Sequence, residues 1–400
     1  MTSLYIHIPF CIHRCGYCDF NTYAGLQGLI PAYSRAVSNE LMYLSQSLTE
    51  PLTIHTIYFG GGTPSLIPSL EFGEILQSVR KYFNLVHAPE ITIEANPGTV
   101  SVEYLTEVRT LGVNRISLGM QSAHQTELSL MDRQHTFEEV VKAVEWSRET
   151  GINSVNLDLI YGLPAQSLQA WMSSLENALS LHPDHLSLYA LTLEHGTPMQ
   201  NKVQSGVLAA PDPDLAADMY EAASDRLADV GFVQYEISNW ARTKNTDQTH
   251  ACNHNLQYWR NLSYMGVGAG AHGFINHYRT VNIATPQAYI NRLNNRTTSR
   301  NNMNKELKFP RNPATDQINP IDTNTEIGET MMMGLRLVQE GVSAHEFLQR
   351  FGISLLDRYT HQIGKLVSLG LLEWTREPAT RLRLTSKGRL LGNLVFREFI

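Results

Sequence analysis

Cys11-Ile-His-Arg-Cys15-Gly-Tyr-Cys18 gathers three of the chain's four cysteines into one short segment. Thiolates are soft ligands for iron-sulfur clusters and for zinc, and the x3/x2 spacing lets three sulfurs converge from one loop on one metal body. A structural zinc site closes with four protein ligands, whereas a cubane cluster on three thiolates keeps one iron open to an exogenous ligand. A zinc site completed by His13 or by a distant side chain is the alternative.

Further polar residues stand where a parallel βα architecture places its ligands, at the carboxyl ends of strands. They are Gly60-Gly61-Gly62-Thr63-Pro64, Glu94, Gln121 and Asp158. The glycines free the backbone to approach a ligand and expose its N–H and C=O groups, although a plain tight turn uses the same residues. Burying Glu94, Gln121 or Asp158 without partners costs a few kcal/mol, so each must meet either an internal hydrogen-bond network or a polar ligand. Arg133 carries a planar fork suited to a carboxylate, or is a solvated surface arginine. Tyr5 and Tyr17 flank the cysteine loop as cofactor contacts or as ordinary core. A second cluster, His250-Ala-Cys252-Asn-His254-Asn-Leu-Gln-Tyr258-Trp259, precedes the glycine-rich Met265–His272. Its imidazoles, thiol and flat rings are what an iron porphyrin takes, and each histidine has a structural reading beside the ligand one.

The elements that must position these residues follow from periodicity. Six short strands, Leu4–Ile8, Ile54–Phe59, Ile91–Glu94, Arg115–Met120, Val155–Ile160 and His185–Leu191, alternate with stretches of helical period such as Tyr33, Val37, Leu41, Leu44 and Leu48. Thr136-x-x-Glu139 and Ser343-x-x-Glu346 read as capping boxes, and Ser167 as a helix cap. The alternation loosens after Leu191. Residues 297–324, rich in Asn, Thr and Pro, read as an exposed linker. Beyond them come three helices, strands Leu371–Trp374 and Arg381–Leu384 about a Pro-containing turn, and a last helix from Ser386. The organisation expected is a barrel over 1–240, an extension over 241–296, the linker, and a small winged-helix-like domain over 325–400.

With 42% hydrophobic and 17% charged residues, 400 residues can bury a substantial core. A net charge of −7 without clustered Lys and Arg argues against direct nucleic-acid binding. The cysteines form no disulfide framework and an iron-sulfur cluster wants a reducing compartment, so the expected location is cytoplasmic. No run reaches the roughly 18 apolar residues of a membrane span. The first strand begins close to Met1, leaving no room for a signal peptide, so any membrane contact is peripheral.

Cys-x3-Cys-x2-Cys resembles the signature of radical S-adenosylmethionine (SAM) proteins, and Tyr5-Ile-His-Ile-Pro-Phe10 narrows the likeness to the coproporphyrinogen dehydrogenase branch. The resemblance implies a partial (β/α)6 barrel, open on one side, with a 4Fe-4S cluster on Cys11, Cys15 and Cys18 and SAM on the fourth iron. It places Gly61, Gly62 and Thr63 at the methionine end of SAM, Glu94, Gln121 and Asp158 on its hydroxyl and amine groups, and Arg133 on its carboxylate. His254-Asn-x-x-Tyr-Trp259 is similar to the signature that separates HemW-type haem chaperones from the dehydrogenases. Haem is then the cargo, with His254, His250 and Cys252 as candidate ligands and an unspecified acceptor protein as partner. Phe20 stands where the dehydrogenases place another cysteine, and the long N-terminal arm of those enzymes is lacking; both departures argue against the radical decarboxylase, which is the competing function.

Overall fold

The computed structural model describes residues 1–245, 248–294, 308–375 and 380–400. Two compact units result, one of residues 1–223 with 263–319 and the other of 224–262 with 320–400.

In the first unit, all six expected strands form: β1 (Thr2–Ile8), β2 (Thr53–Gly61), β3 (Asn84–Ala95), β4 (Arg115–Gln121), β5 (Ser154–Tyr161) and β6 (His185–Ala190). They lie side by side in chain order and pair in parallel from β1 through β6. Sequential order is the winding of a barrel wall, because each right-handed crossover helix advances the sheet by one strand. The helices bury one stripe each. Tyr33, Val37, Leu41 and Leu44 of Ile30–Gln46 lie inside, as do Trp171, Leu175 and Leu179 of Leu168–Ser180. Helix Phe137–Glu149 opens with both halves of its capping box formed, and Ser167 caps the next helix through the Ala170 N–H.

The periodicity did not foretell a seventh parallel strand. β7 (Tyr264–Val267) pairs with the free edge of β1, and β8 (His272–Ile275), β9 (Tyr278–Asn282) and β10 (Thr315–Pro320) continue the sheet beyond it. Part of the expected exposed linker is therefore a strand, and Asn312, Ala314 and Thr315 ahead of it are buried. The cause is Glu40. This buried carboxylate takes Gly268 N–H (2.9 Å) and Tyr289 O–H (2.5 Å) on one oxygen and the side-chain amides of Asn282 (2.7 Å) and Asn312 (2.9 Å) on the other. Polar residues that read as linker in sequence are the donors a buried anion requires. The rest of the expected linker, 297–307, lies outside the described residues.

The second unit holds helices Thr323–Gly334, Ala344–Phe351 and Leu355–Ser368. Strand Arg381–Leu384 lies between Leu372–Thr375 and a short Val342–Ser343 strand that the sequence reading lacked. Ile327, Met331, Phe347, Ile363, Leu366, Leu372 and Leu382 form its core. Ser343 caps its helix through the Glu346 N–H, while the Glu346 carboxylate faces Arg381 at 3.8 Å. The segment before β7 belongs here and not with the barrel. Helix Asn253–Trp259 is tied in by Arg260 to Glu340 (2.7 Å), by Arg336 stacked on Trp259, and by Arg350, which donates to the Asn261 carbonyl (2.7 Å). The Pro378 turn between the wing strands lies outside the described residues.

Burial raises the Glu40 pKa from 4.5 to about 7, against the opposing pull of its four hydrogen bonds. A carboxyl whose folded pKa lies above its unfolded value binds its proton more tightly when folded, so its contribution is full below about pH 4.5 and is lost as pH rises through about 7. Denaturant titrations of the wild type and Glu40→Gln should show the wild type gaining relative stability on going from pH 8 to pH 5, on the order of 3 kcal/mol. A difference that stays constant across that range would show that Glu40 does not titrate there.

Candidate functional site

The cysteine loop leaves β1 at its carboxyl end and is closed at its base by a two-residue parallel bridge, Phe10 with Tyr23 and Cys11 with Ala24. Between these points the loop has little regular structure, and its shape is set by neighbours. The Gly62 N–H donates to the Ile8 carbonyl and the Thr63 N–H to the Phe10 carbonyl, both at 2.8 Å. A Cβ on Gly62 would stand 2.6 Å from the Phe10 oxygen and 3.0 Å from Cys11 Sγ. On the other side, the Gly16 N–H donates to the Met131 carbonyl (3.2 Å) and its C=O accepts from the Met199 N–H (2.8 Å). A side chain on Gly16 would collide with the Asp132 carboxylate.

Around the thiols, Thr63 Oγ1 donates to Cys11 Sγ at 3.8 Å, Thr22 Oγ1 lies 3.9 Å from Cys18 Sγ, and Arg133 Nη1 donates to Cys15 Sγ at 3.5 Å. Burial pushes the Cys11 thiol pKa up, and the neighbouring Cys18 and Cys15 add to the rise. A metal body bound by the Cys11 thiolate would offset that cost of ionisation. Among the described residues no group of three or more His, Cys, Asp and Glu could hold a single metal ion. A cubane bonds each thiolate to a different iron, so its sulfurs need not meet at one point. His13 is exposed.

The expected SAM contacts divide into two groups. Arg133 Nη2 donates to the Gly119 carbonyl (2.8 Å), whereas its buried Nε has no hydrogen-bond partner among the described residues. Beside it, Gln121 is buried with φ of +63°, a left-handed backbone held against its own preference. Glu94 accepts from Tyr58 O–H (2.8 Å) and from the Gly61 N–H (3.0 Å), and burial lifts its pKa to about 7. Tyr5 stacks on Tyr58, and its hydroxyl lies 3.0 Å from His7 Nδ1; Tyr17 packs beside Leu128, Met131 and Met199. Two of the expected contacts already have protein partners. The N–H groups of Gly61, Gly62 and Thr63, read as open to a ligand, are taken by Glu94 and by the β1 side of the loop, because the turn must bind the cysteine loop first. Asp158 accepts from Ser117 (2.9 Å) and Asn156 (2.8 Å), and Ser187 donates to the Asn156 amide oxygen (3.2 Å).

The candidate haem residues lie on helix Asn253–Trp259 and just ahead of it. His254 and Cys252 are 1% and 0% exposed within the second unit, and His254 Nε2 lies 3.0 Å from the Tyr258 hydroxyl. His250 is half-buried, and His272, on β8 of the first unit, is exposed. Residues that sequence reasoning passed over include His7, Asn21, Thr22, Tyr58 and His135. His135 Nε2 donates to the Met120 carbonyl (3.1 Å), and burial with Arg133 nearby lowers its pKa to about 4. Position beside the cysteine motif or Arg133 was the available signal for most of them.

Residues 5–178 match the family model of the radical SAM superfamily and residues 321–391 that of the HemN C-terminal domain. A protein named "Heme chaperone HemW" from Mycobacterium tuberculosis is 37% identical over all of this chain and 94% of its own length. One of the same name from Bacillus subtilis is 34% identical over all of this chain and 99% of its own. Among solved structures, coproporphyrinogen III oxidase (HemN) from Escherichia coli superposes with a TM-score of 0.81 over 100% of this chain and 89% of that one, at 22% identity, a likeness of fold.

Gly62→Ala should destabilise the first unit by about 1–3 kcal/mol, since the added methyl meets backbone on one side and a thiol on the other. Thermal unfolding and alkylation of Cys11 measure it. A melting temperature and thiol reactivity equal to wild type would mean that the loop is not clamped at this point.

Proposed function

The chain belongs to the HemW family of haem chaperones, within the radical SAM superfamily, and from that premise we propose that it binds haem and hands it to an acceptor protein while carrying a 4Fe-4S cluster on Cys11, Cys15 and Cys18. Similarity along the whole chain to proteins so named carries this reading. Phe20 supports it against the decarboxylase. It stands where the resemblance puts an additional cysteine, and at 64% exposure its ring offers the cluster loop an apolar surface and no metal ligand.

The residues fit the two cofactors that the superfamily implies. Three thiols in one loop, with Arg133 on Cys15, suit an anionic cluster, and the unpartnered Nε of Arg133 leaves a cationic donor for a SAM carboxylate. Glu94 and Gln121 take SAM hydroxyl or amine groups, and Tyr5 and Tyr17 wall the space. Asp158 supports that wall through Ser117 and Asn156. Cys11, Cys15 and Cys18 would hold the cluster, which would supply an open iron to SAM, and Arg133, Glu94 and Gln121 would supply the charged and polar groups that orient it. A protein with this cluster requires a reducing compartment, which we infer to be the cytoplasm; no helix among the described residues is long and apolar enough to cross a membrane.

For the cargo, the interior placement of His254 argues for a structural part in the second unit, and leaves surface imidazoles such as His272, or the half-buried His250, to meet haem iron. Titration of the purified protein with haemin should produce a Soret band, and mixing with a haem-free globin should move the haem across. His254→Ala should lower the melting temperature and leave the Soret maximum of the folded fraction in place. Conversion of coproporphyrinogen III in protein that takes up no haem would overturn the chaperone reading.

Anaerobically reconstituted protein should hold about four irons per chain, and Cys11→Ala, Cys15→Ala or Cys18→Ala should lose them while Cys252→Ala does not. Stoichiometric zinc without sulfide would refute the cluster. With Glu94 titrating at about 7, its ionised fraction, and with it SAM affinity, should rise roughly tenfold from pH 6 to pH 8. The rise should vanish in Glu94→Gln. Equal pH profiles by equilibrium dialysis would remove Glu94 from the SAM site.

A further inference from the structure

Three residues past Cys18, the side chain of Asn21 has every polar group engaged. Its Nδ2 donates to the carbonyls of Ala269 (3.1 Å) and Ala284 (3.0 Å), and its Oδ1 accepts from the Tyr23 hydroxyl (3.1 Å). Its backbone carbonyl lies 3.0 Å from His7 Nε2, whose Nδ1 faces the Tyr5 hydroxyl at 3.0 Å. The ring therefore carries its proton on Nε2 when Tyr5 donates to it. One asparagine thus joins the far end of the cysteine loop to β1 and to two points more than 240 residues along the chain.

The receiving surface is shaped for it. Gly270 has φ of +75°, and a Cβ there would collide with the Asn21 amide. The turn that carries it cannot easily move. The Gly268 N–H is held by Glu40 (2.9 Å), the Ala269 N–H by Tyr33 (2.8 Å), and the Gly270 N–H by the Ile283 carbonyl (3.0 Å). Tyr33 in turn donates to the His7 carbonyl at 2.8 Å. The glycine run that sequence reading grouped with the haem signature is thus a seat for the cysteine loop.

We propose that Asn21 is a positioning residue for the cluster, a clip that fixes the Cys18 end of the loop onto the Gly268–Ala271 turn so that strands on the far flank of the sheet set where the thiolates stand. The clip rests on the cluster reading above. The contact with Ala269 and Ala284 needs an N–H donor. Aspartate, which keeps the acceptor for Tyr23 and loses both donors, fails in the same way as alanine, and Tyr23→Phe keeps the clip. Gly270→Ala breaks the same contact from the other side.

The experiment compares reconstituted wild type, Asn21→Ala, Asn21→Asp, Gly270→Ala and Tyr23→Phe for iron and sulfide content, rate of cluster loss to a chelator, the electron paramagnetic resonance of the reduced cluster with and without SAM, and melting temperature. Asn21→Ala and Asn21→Asp should lose the cluster about five- to tenfold faster and show an altered SAM-induced change in the resonance, as expected where the two or three hydrogen bonds removed are partly replaced by water. Their melting temperatures should stay close to wild type, and Tyr23→Phe should match wild type in every readout. Gly270→Ala should reproduce the Asn21 variants even if one of those does not fold. Wild-type lifetimes and spectra in both Asn21 variants overturn the clip, as does cluster loss that only tracks the melting temperature. Wild-type protein that binds no cluster refutes the cluster reading and the clip with it, whereas a stable wild-type cluster beside silent variants refutes the clip alone.

Discussion

Two backbone hydrogen bonds, Gly62 N–H to the Ile8 carbonyl and Thr63 N–H to the Phe10 carbonyl, bring the turn after β2 against the start of the cysteine loop. They form only because Gly62 lacks a side chain, and most of the site's geometry follows from that close approach. Cys11 is covered and touched by Thr63. The Gly61 N–H is freed from the turn to meet Glu94, and Glu94 then stands beside Tyr58 and Tyr5. A loop with three thiols and almost no regular structure is ordered by its surroundings, with Gly16 held between Met131 and Met199 and Asn21 held on the turn after β7. Ordering such a loop costs roughly 1–2 kcal/mol per residue, which contacts distributed along its length can offset where one contact could not.

Carboxylates divide the labour within this unit according to their partners. Among the described residues Glu40 meets four donors and no cation, which makes it a joint between the helix after the cysteine loop and strands β7 to β9. Glu94 has two donors and keeps lone pairs to spare, the condition for receiving a ligand at the mouth of the sheet. Asp158 is surrounded by short hydroxyl and amide side chains on neighbouring strands and serves the wall. Burial raises all three pKa values, so the raised values alone do not distinguish a joint from a ligand contact. Glu94 and Asp158 each take one donor on each oxygen, and only the four donors of Glu40 set it apart by count.

Within the second unit the same reasoning separates a family signature from a ligand set. His254 and Tyr258 lie one helical turn apart, in edge-to-face contact, and Trp259 carries Arg336 on its face. A motif can mark haem chaperones by shaping a small domain, without any of its members touching iron. Membership in the family and the placement of each side chain are separate facts.

The sequence by itself determined what local pattern can carry. The six strands were legible because buried parallel strands are short β-branched runs between helical periods, and the cysteine loop stood out as a candidate metal site because three cysteines in one loop have few other uses. The Thr136–Glu139 capping box, the order of elements and the family also stood in the residues alone. What the sequence could not show was which polar groups meet. Asp158 and Glu94 look alike as acids at strand ends, and only the strands beside them decide that one is enclosed by hydroxyls and amides while the other faces a tyrosine and a glycine N–H. The pairing of β7 with β1, the passage of Asn312 from apparent linker to buried donor, and the docking of Asn21 on Ala269 all join residues more than 240 positions apart. Such contacts leave no periodicity in either partner, because a hydrogen bond between distant segments requires only that each present one suitable atom, and tertiary packing alone brings those atoms together.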